Sequence, residues 1–165
     1  MNAKRLIRHL FATQRGVRTA FTRTVLDAIE NAIRASEATH AGEIRFVIEG
    51  ALHPVPIWRG VSAAERAKRV FAEFDVWDTA ANSGVLIYVL MADRAVEIVA
   101  DRGFAGRVDP SEWGAACRAI ETEFPRGRYR EGAVAGVEAV GRLIARHFPA
   151  PQGNPNELAD RPVVR

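Results

Sequence analysis

Gly84-Val85-Leu86-Ile87-Tyr88-Val89-Leu90 is followed, after Ala92-Asp93, by Ala95-Val96-Glu97-Ile98-Val99-Ala100. The first run is apolar without a break, the pattern of a central strand buried on both faces. The second alternates, the pattern of a strand with one wet face. Ala92-Asp93 between them reads as a tight turn, so the two runs form the arms of a hairpin. Upstream, Glu43 to Leu52 alternates and is β-rich through Ile44, Phe46, Val47 and Ile48, which predicts a strand over 43–52. Ser62-Ala63-Ala64-Glu65 is a capping box, in which hydroxyl and carboxylate each satisfy a backbone donor at a helix start. It opens a helix over 62–76 with Ala67, Val70, Phe71 and Phe74 as its inner stripe. Strand, helix and strand in this order predict a right-handed βαβ unit with parallel strands.

Further elements extend both ways. Val25, Leu26, Ile29, Ala32 and Ile33 recur at helical spacing between Arg23 and Thr39. His53-Pro54-Val55-Pro56-Ile57 reads as a breaker-rich loop. Asp109-Pro110 opens a helix with Asp as N-cap and Pro at its first position, with Trp113, Ala116, Cys117, Ile120 and Phe124 inward. Pro125 to Arg128 breaks it, and a last helix runs from Tyr129 to His147. Strands separated by helices predict a layered α/β domain over 22–148. A basic helical segment precedes it at 1–21, and a loose proline-rich tail follows at 149–165.

The composition excludes several classes. The chain has 165 residues, 48% of them hydrophobic and 26% charged, which is globular rather than disordered. A single cysteine, Cys117, excludes an internal disulfide and a multi-cysteine zinc site. There is no phosphate-binding GxxxxGK[ST] loop, no HExxH and no GxSxG. The apolar run from Gly84 to Ala92 is far short of the roughly 20 residues a membrane helix needs. Arg8 and His9 interrupt the apolar stretch of the N-terminus, so no signal peptide is read and a cytoplasmic protein is expected.

The net charge of +3 is uneven. The first 26 residues carry Lys4, Arg5, Arg8, Arg15, Arg18 and Arg23 and no acid, so the remainder is −3. A mildly acidic domain argues against nucleic acid as a partner. Leu6, Leu10, Ile7 and Phe11 fall on one helical face opposite Lys4, Arg5 and Arg8. Residues 1–23 therefore suit either an anionic membrane surface, peripheral to the inner membrane, or packing on the domain with the basic face in water.

Strand direction locates a candidate site. Parallel strands at 43–52 and 84–91 begin at one end of the sheet, and the hairpin returns Asp101 and Arg102 to it. Glu43, Asp78, Asn82, Asp101 and Asp109 are thus expected at a common rim. Carboxylate and amide oxygens are hard ligands suited to Ca²⁺ or Mg²⁺. Asp78, Asn82, Asp101 and Asp109 are the expected metal ligands. Glu43 is expected as an outer ligand or base, and Arg102, with Arg107, as the phosphate-binding group. Each also has a plainer reading. Asp109 serves as an N-cap, Asp78 and Asn82 as turn residues, Asp101 as an ion-pair partner of Arg102 or Arg107, and Glu43 as a solvated strand end. His40 lies close enough in sequence to join the rim. Cys117 falls on an inner stripe and reads as an inert core thiol.

Gly42-Glu43-Ile44-Arg45-Phe46-Val47, Asn82-Ser83-Gly84-Val85-Leu86-Ile87 and Val96-Glu97-Ile98-Val99 with its Gly-containing loop resemble the TPM-domain family. So do Gly127-Arg128-Tyr129, Gly132 and Ala135-Gly136-Val137. The resemblance covers about Thr22 to Phe148. It implies a three-layer α/β/α sandwich, Rossmann-like and with a mixed sheet, but without a dinucleotide fingerprint. It also implies acid-phosphatase-like hydrolysis of a small phosphoester, as described for a plant thylakoid member, and calcium binding by acidic loop residues at one sheet edge. Asn82 matches the family's loop before the strand. Asp101, Arg102 and Gly103 stand in place of its Gly-Tyr-Gly, Ala105 in place of its Glu, and Asp109 about where its loop Asp falls. Most members carry a signal peptide and a C-terminal membrane helix, and this chain resembles a cytoplasmic variant with neither. The other reading is a non-catalytic, calcium-responsive interaction module at the inner membrane surface, beside a membrane-anchored partner.

Overall fold

A computed structural model of the chain describes residues 3–12, 14–150 and 155–165. In chain order the elements are α1 (Ala3–Phe11), α2 (Gln14–Ala20), α3 (Arg23–Glu37), β1 (Glu43–Glu49), α4 (Pro54–Trp58), α5 (Ala63–Glu73), β2 (Gly84–Leu90), β3 (Ala95–Ala100), α6 (Pro110–Glu123), α7 (Tyr129–His147) and β4 (Val163–Val164). The sheet order is β3-β2-β1-β4. β1 and β2 run parallel from Glu43 opposite Gly84, and β3 returns antiparallel with Ala100 opposite Val85. This is the expected mixed sheet with a central βαβ unit and a hairpin.

Side-chain alternation along the strands sorts the core into layers. Ile44, Phe46, Ile48, Val85, Ile87 and Val89 face α3, α6 and α7, meeting Ile29, Ile33, Ile120, Val137 and Ile144. Val47, Leu86, Tyr88 and Leu90 face α5 and α4, meeting Ala67, Val70, Leu52 and Ile57. Every residue of β2 is buried, as its unbroken apolar run requires. The Asn82-Ser83-Gly84 entry to β2 has a steric cause. A Cβ on Gly84 would stand 1.9 Å from the Val76 carbonyl oxygen. Asn82 takes a left-handed φ of 51°, and the Ser83 hydroxyl donates to the Ala41 carbonyl at 3.0 Å.

Three local expectations are corrected. Residues 53–57 are not a loop. The His53 ring caps α4 by accepting from the Val55 N–H, and Pro54 sits in the first turn, where a missing N–H costs nothing. The tail is not loose where it is described. Val163 and Val164 pair parallel with Val47 and Ile48, and the Arg165 N–H donates to the Ile48 carbonyl at 2.9 Å. Residues 151–154 of that tail lie outside the described residues. The N-terminal segment is two helices, and α1 is turned around. Leu6 packs inward beside Arg5 and His9, while Ile7, Leu10 and Phe11 face out. The cause is Asp93, which receives Arg5 Nη2 at 2.7 Å and bonds His9 Nε2 at 3.1 Å.

Candidate functional site

The strand register brings the expected backbone positions to one end of the sheet. The Asp101 N–H donates to the Gly84 carbonyl at 2.9 Å, and the Glu43 N–H to the Ser83 carbonyl at 3.3 Å. The side chains then diverge. Asp101 and Asp109 line a common open cleft of about 810 Å³ beside β3, together with Lys68, Arg102, Arg107 and Glu112 over a floor that includes Phe104 and Trp113. Glu43, Asp78 and Asn82 do not line it.

Asp101 caps the 3₁₀ turn Arg102–Phe104, its Oδ1 accepting from the Arg102 N–H at 2.6 Å. Its Oδ2 is buried and has no hydrogen-bond partner among the described residues. A buried carboxylate oxygen without a donor is costly, so such an atom points to a missing partner. Arg102 donates through Nε to Asn82 Oδ1 at 2.7 Å, which leaves its two terminal nitrogens uncommitted. The Arg107 guanidinium stacks 5.4 Å from the centre of the Phe148 ring, and that ring packs at 4.7 Å on Phe104. The Arg107 head is thereby held over an aromatic face, and Arg102 and Arg107 line the same cleft as Asp101. Asp109 caps α6 in a box with Glu112, its Oδ1 accepting from the Ser111 N–H at 2.8 Å. Those bonds from Ser111 hold its carboxyl below the ordinary value. Asp78 is exposed in the turn before β2.

Glu43 is only 1% exposed and turns to the tail, accepting from the Leu158 N–H at 3.1 Å. Burial raises its carboxyl pKa, with the Glu157 and Asp160 charges adding to the rise. Glu37, beside it, accepts from the Ile44 N–H at 2.8 Å, and burial pushes its pKa up to about 8. Glu37, Glu43 and Asp160 thus hold the tail against β1 and lie apart from the cleft. Among the described residues, no three His, Cys, Asp or Glu side chains converge as a metal cage. His40 is fully buried between the Ser36 hydroxyl, at 2.9 Å, and the Gly42 N–H, and takes no part in the rim. Burial raises the Cys117 thiol to about 11. Residues 126–128 turn the chain into α7, and Glu123 pairs there with Arg126 and Arg128.

Several groups escaped sequence reading. Lys68 is brought to the cleft because α5 packs on β3, a relation that the periodicity of residues 62–76 does not encode. Glu49 is a buried hub that accepts from Tyr88 Oη at 2.5 Å and from Arg66 Nε at 2.8 Å. Burial and the Glu49 contact drive the Tyr88 pKa upward, so this group ties β1, β2 and α5 together and does no proton transfer at neutral pH. A glutamate closing a β-rich run was the only hint of it. A second cavity, of about 370 Å³, lies at the other end of the sheet, with Met91, Phe124 and Tyr129 as apolar walls and Arg94 and Glu121 as its charged groups.

Comparison with known proteins agrees with this fold. The TPM-domain family profile matches residues 18–143. The NMR structure of the BA42 protein from the psychrophilic bacterium Bizionia argentinensis is similar at 30% identity and a TM-score of 0.76, covering 87% of this chain and 94% of that one. The solution structure of an N-terminal domain of a protein from P. gingivalis shares the fold, at 18% identity and a TM-score of 0.61, covering 79% of this chain and 82% of that one. No curated protein matches the chain. The sequence match over most of the sandwich and the likeness to solved structures agree: the chain belongs to the TPM-domain family.

Proposed function

We propose that this domain binds a divalent cation, Ca²⁺ or Mg²⁺, with a phosphomonoester in the cleft beside β3, and acts there as an acid-phosphatase-like hydrolase. The observation that carries the reading is the buried Asp101 Oδ2, without a hydrogen-bond partner among the described residues, in a cleft that Arg102 also lines. The donor set suits a hard cation held through oxygens, with Asp101 Oδ2 as the inner ligand and the Asp109 carboxylate, which caps α6, on the same cleft. Asn82 Oδ1 serves by fixing Arg102, and Asp78, exposed before β2, is given no part. Glu43, engaged with the tail, is given no catalytic part. When bound, the ion supplies Lewis-acid polarisation of the phosphoryl group and a more acidic water. Arg102, Arg107 and Lys68 neutralise and orient the phosphoryl oxygens. In the reaction, water adds to phosphorus, the bond from phosphorus to the ester oxygen breaks, and the departing alkoxide takes up the proton that water loses.

Thermal shift and aryl phosphate hydrolysis test this with the full chain. Millimolar Ca²⁺ or Mg²⁺ is expected to raise the midpoint, and Asp101→Asn to abolish that rise. Arg102→Ala is expected to weaken inorganic phosphate binding about tenfold or more, as loss of a charge-assisted contact does. No midpoint change at millimolar metal, or equal hydrolysis by wild type and Asp101→Asn, overturns it. A second reading is the calcium-responsive, non-catalytic interaction module beside a membrane-anchored partner. It is supported by the outward apolar edge of α1, and predicts metal binding without turnover.

A further inference from the structure

α1 breaks the usual rule for a surface helix. It sends charge inward, with Arg5 and His9 meeting Asp93 and with Arg5 Nη2 also donating to the Val61 carbonyl at 2.8 Å. His9 is 4% exposed, and its Nδ1 accepts from the Leu52 N–H at 2.9 Å. Leu10 and Phe11 are left 61% and 79% exposed, with Ile7 beside them. α4 packs against α1 and adds Trp58, 71% exposed, and Val55. Five large apolar side chains on two adjoining helices form a patch that demands cover.

The charge around the patch selects the cover. Residues 1–26 and 50–64 contain no Asp or Glu. Asp93, an acid beneath the patch, is engaged by Arg5, Arg8 and His9. Lys4 and Arg59 are exposed beside the apolar residues and make no ion pair among the described residues. Aromatic and aliphatic side chains bordered by the cations Lys4 and Arg59 match the boundary between headgroups and acyl chains of an anionic bilayer. We infer that the α1–α4 face docks the protein on an anionic lipid surface, with Ile7, Leu10, Phe11, Val55 and Trp58 entering the interface and Lys4 and Arg59 contacting headgroups. This docking is independent of the cleft and stands whether or not the cleft binds metal.

Co-sedimentation of the full chain with large unilamellar vesicles tests it. Vesicles of three parts phosphatidylcholine to one part phosphatidylglycerol are expected to bind the protein, and phosphatidylcholine alone to bind it far less. Phe11→Ser with Trp58→Ser should lower binding about tenfold or more, since the inserted apolar area sets affinity. Lys4→Glu with Arg59→Glu should lower it about 25-fold or more, each cation contributing about fivefold at an anionic surface. Trp77→Ser alters an exposed tryptophan before β2, at the other end of the sheet from the Asp93 turn, and should change nothing. All variants should keep the wild-type melting midpoint, because the altered side chains are exposed. Three results would overturn the inference. They are equal binding to both vesicle types, binding indifferent to the Phe11/Trp58 variant, and a solution dimer broken by that variant with no vesicle binding.

Discussion

Replacing Asp93 by Ala probes the contact that turns α1 around. The Asp93 carboxylate receives Arg5 Nε at 3.1 and 3.0 Å and Nη2 at 2.7 Å, and bonds His9 Nε2 at 3.1 Å. The Arg5 and Asp93 side chains are 17% and 11% exposed, so solvent screens the pair only in part. Breaking a fully buried pair from one side costs about 3–5 kcal/mol, and this partly wet site is expected to lose about 2–3 kcal/mol. The Arg8 contact, on a side chain 51% exposed, adds less than about 1 kcal/mol. A nine-residue helix does not persist alone in water, so the loss falls on α1 before it reaches the sheet. Tryptic cleavage after Arg5 and Arg8 should then rise about 30- to 160-fold in Asp93→Ala, the Boltzmann equivalent of that range, while cleavage within α7 changes little. Burial raises the Asp93 pKa, but hydrogen bonds from Arg5 and His9, and then their charges, outweigh it and leave it lowered. The contribution is therefore full above the ordinary aspartate value of 3.8 and disappears as pH falls through the lower folded value. Cleavage at Arg5 and Arg8 within twofold of wild type would show that Asp93 does not hold the helix.

Glu37 titrates in the opposite sense. Burial lifts its folded pKa to about 8 from 4.5, so folding takes up a proton and stability falls as pH rises between those values, by up to about 1.4 kcal/mol per unit; urea melts of Glu37→Gln from pH 5 to 8.5 should show that slope flattened. Gly136→Ala places a Cβ 2.3 Å from Ile120 Cγ1, and the overpacking should exceed the helix-propensity gain and lower stability by a net of about 1–2 kcal/mol in denaturant melts. With its thiol raised to about 11, Cys117 should react with iodoacetamide at pH 7.5 orders of magnitude more slowly than a free thiol of pKa about 8.5, measured by intact mass.

Legibility tracked how local the stabilising cause was. β2 was readable because burial on both faces leaves no charged residue in it, and α5 because Ser62 and Glu65 satisfy each other's backbone within four residues. β4 was not readable. Two valines carry no period, and they are placed by backbone bonds to β1 and by partners such as Leu158 to Glu43, 115 positions apart. α4 was hidden because proline reads as a breaker until its place in a first turn is known. The facing of α1 depends on an ion pair spanning 88 positions, which no helical wheel contains. For the cleft, strand direction delivered Asp101 and Asp109 to one region, but side-chain orientation removed Glu43, and only the packing of α5 on β3 supplied Lys68.

The placement of β1 in the sheet bears on the order of assembly. Its neighbours arrive late: Ser83 reaches back 42 positions to Ala41, and Leu158 reaches back 115 to Glu43. Contacts so distant along the chain must overcome the entropy of closing large loops before they gain anything, which slows folding. Helices and the β2–β3 hairpin can form early from nearby residues, while β1 waits as an exposed, β-rich segment. A refolding experiment should accordingly show fast gain of helical signal and a slower phase for burial of β1, the interval in which the chain is most open to aggregation.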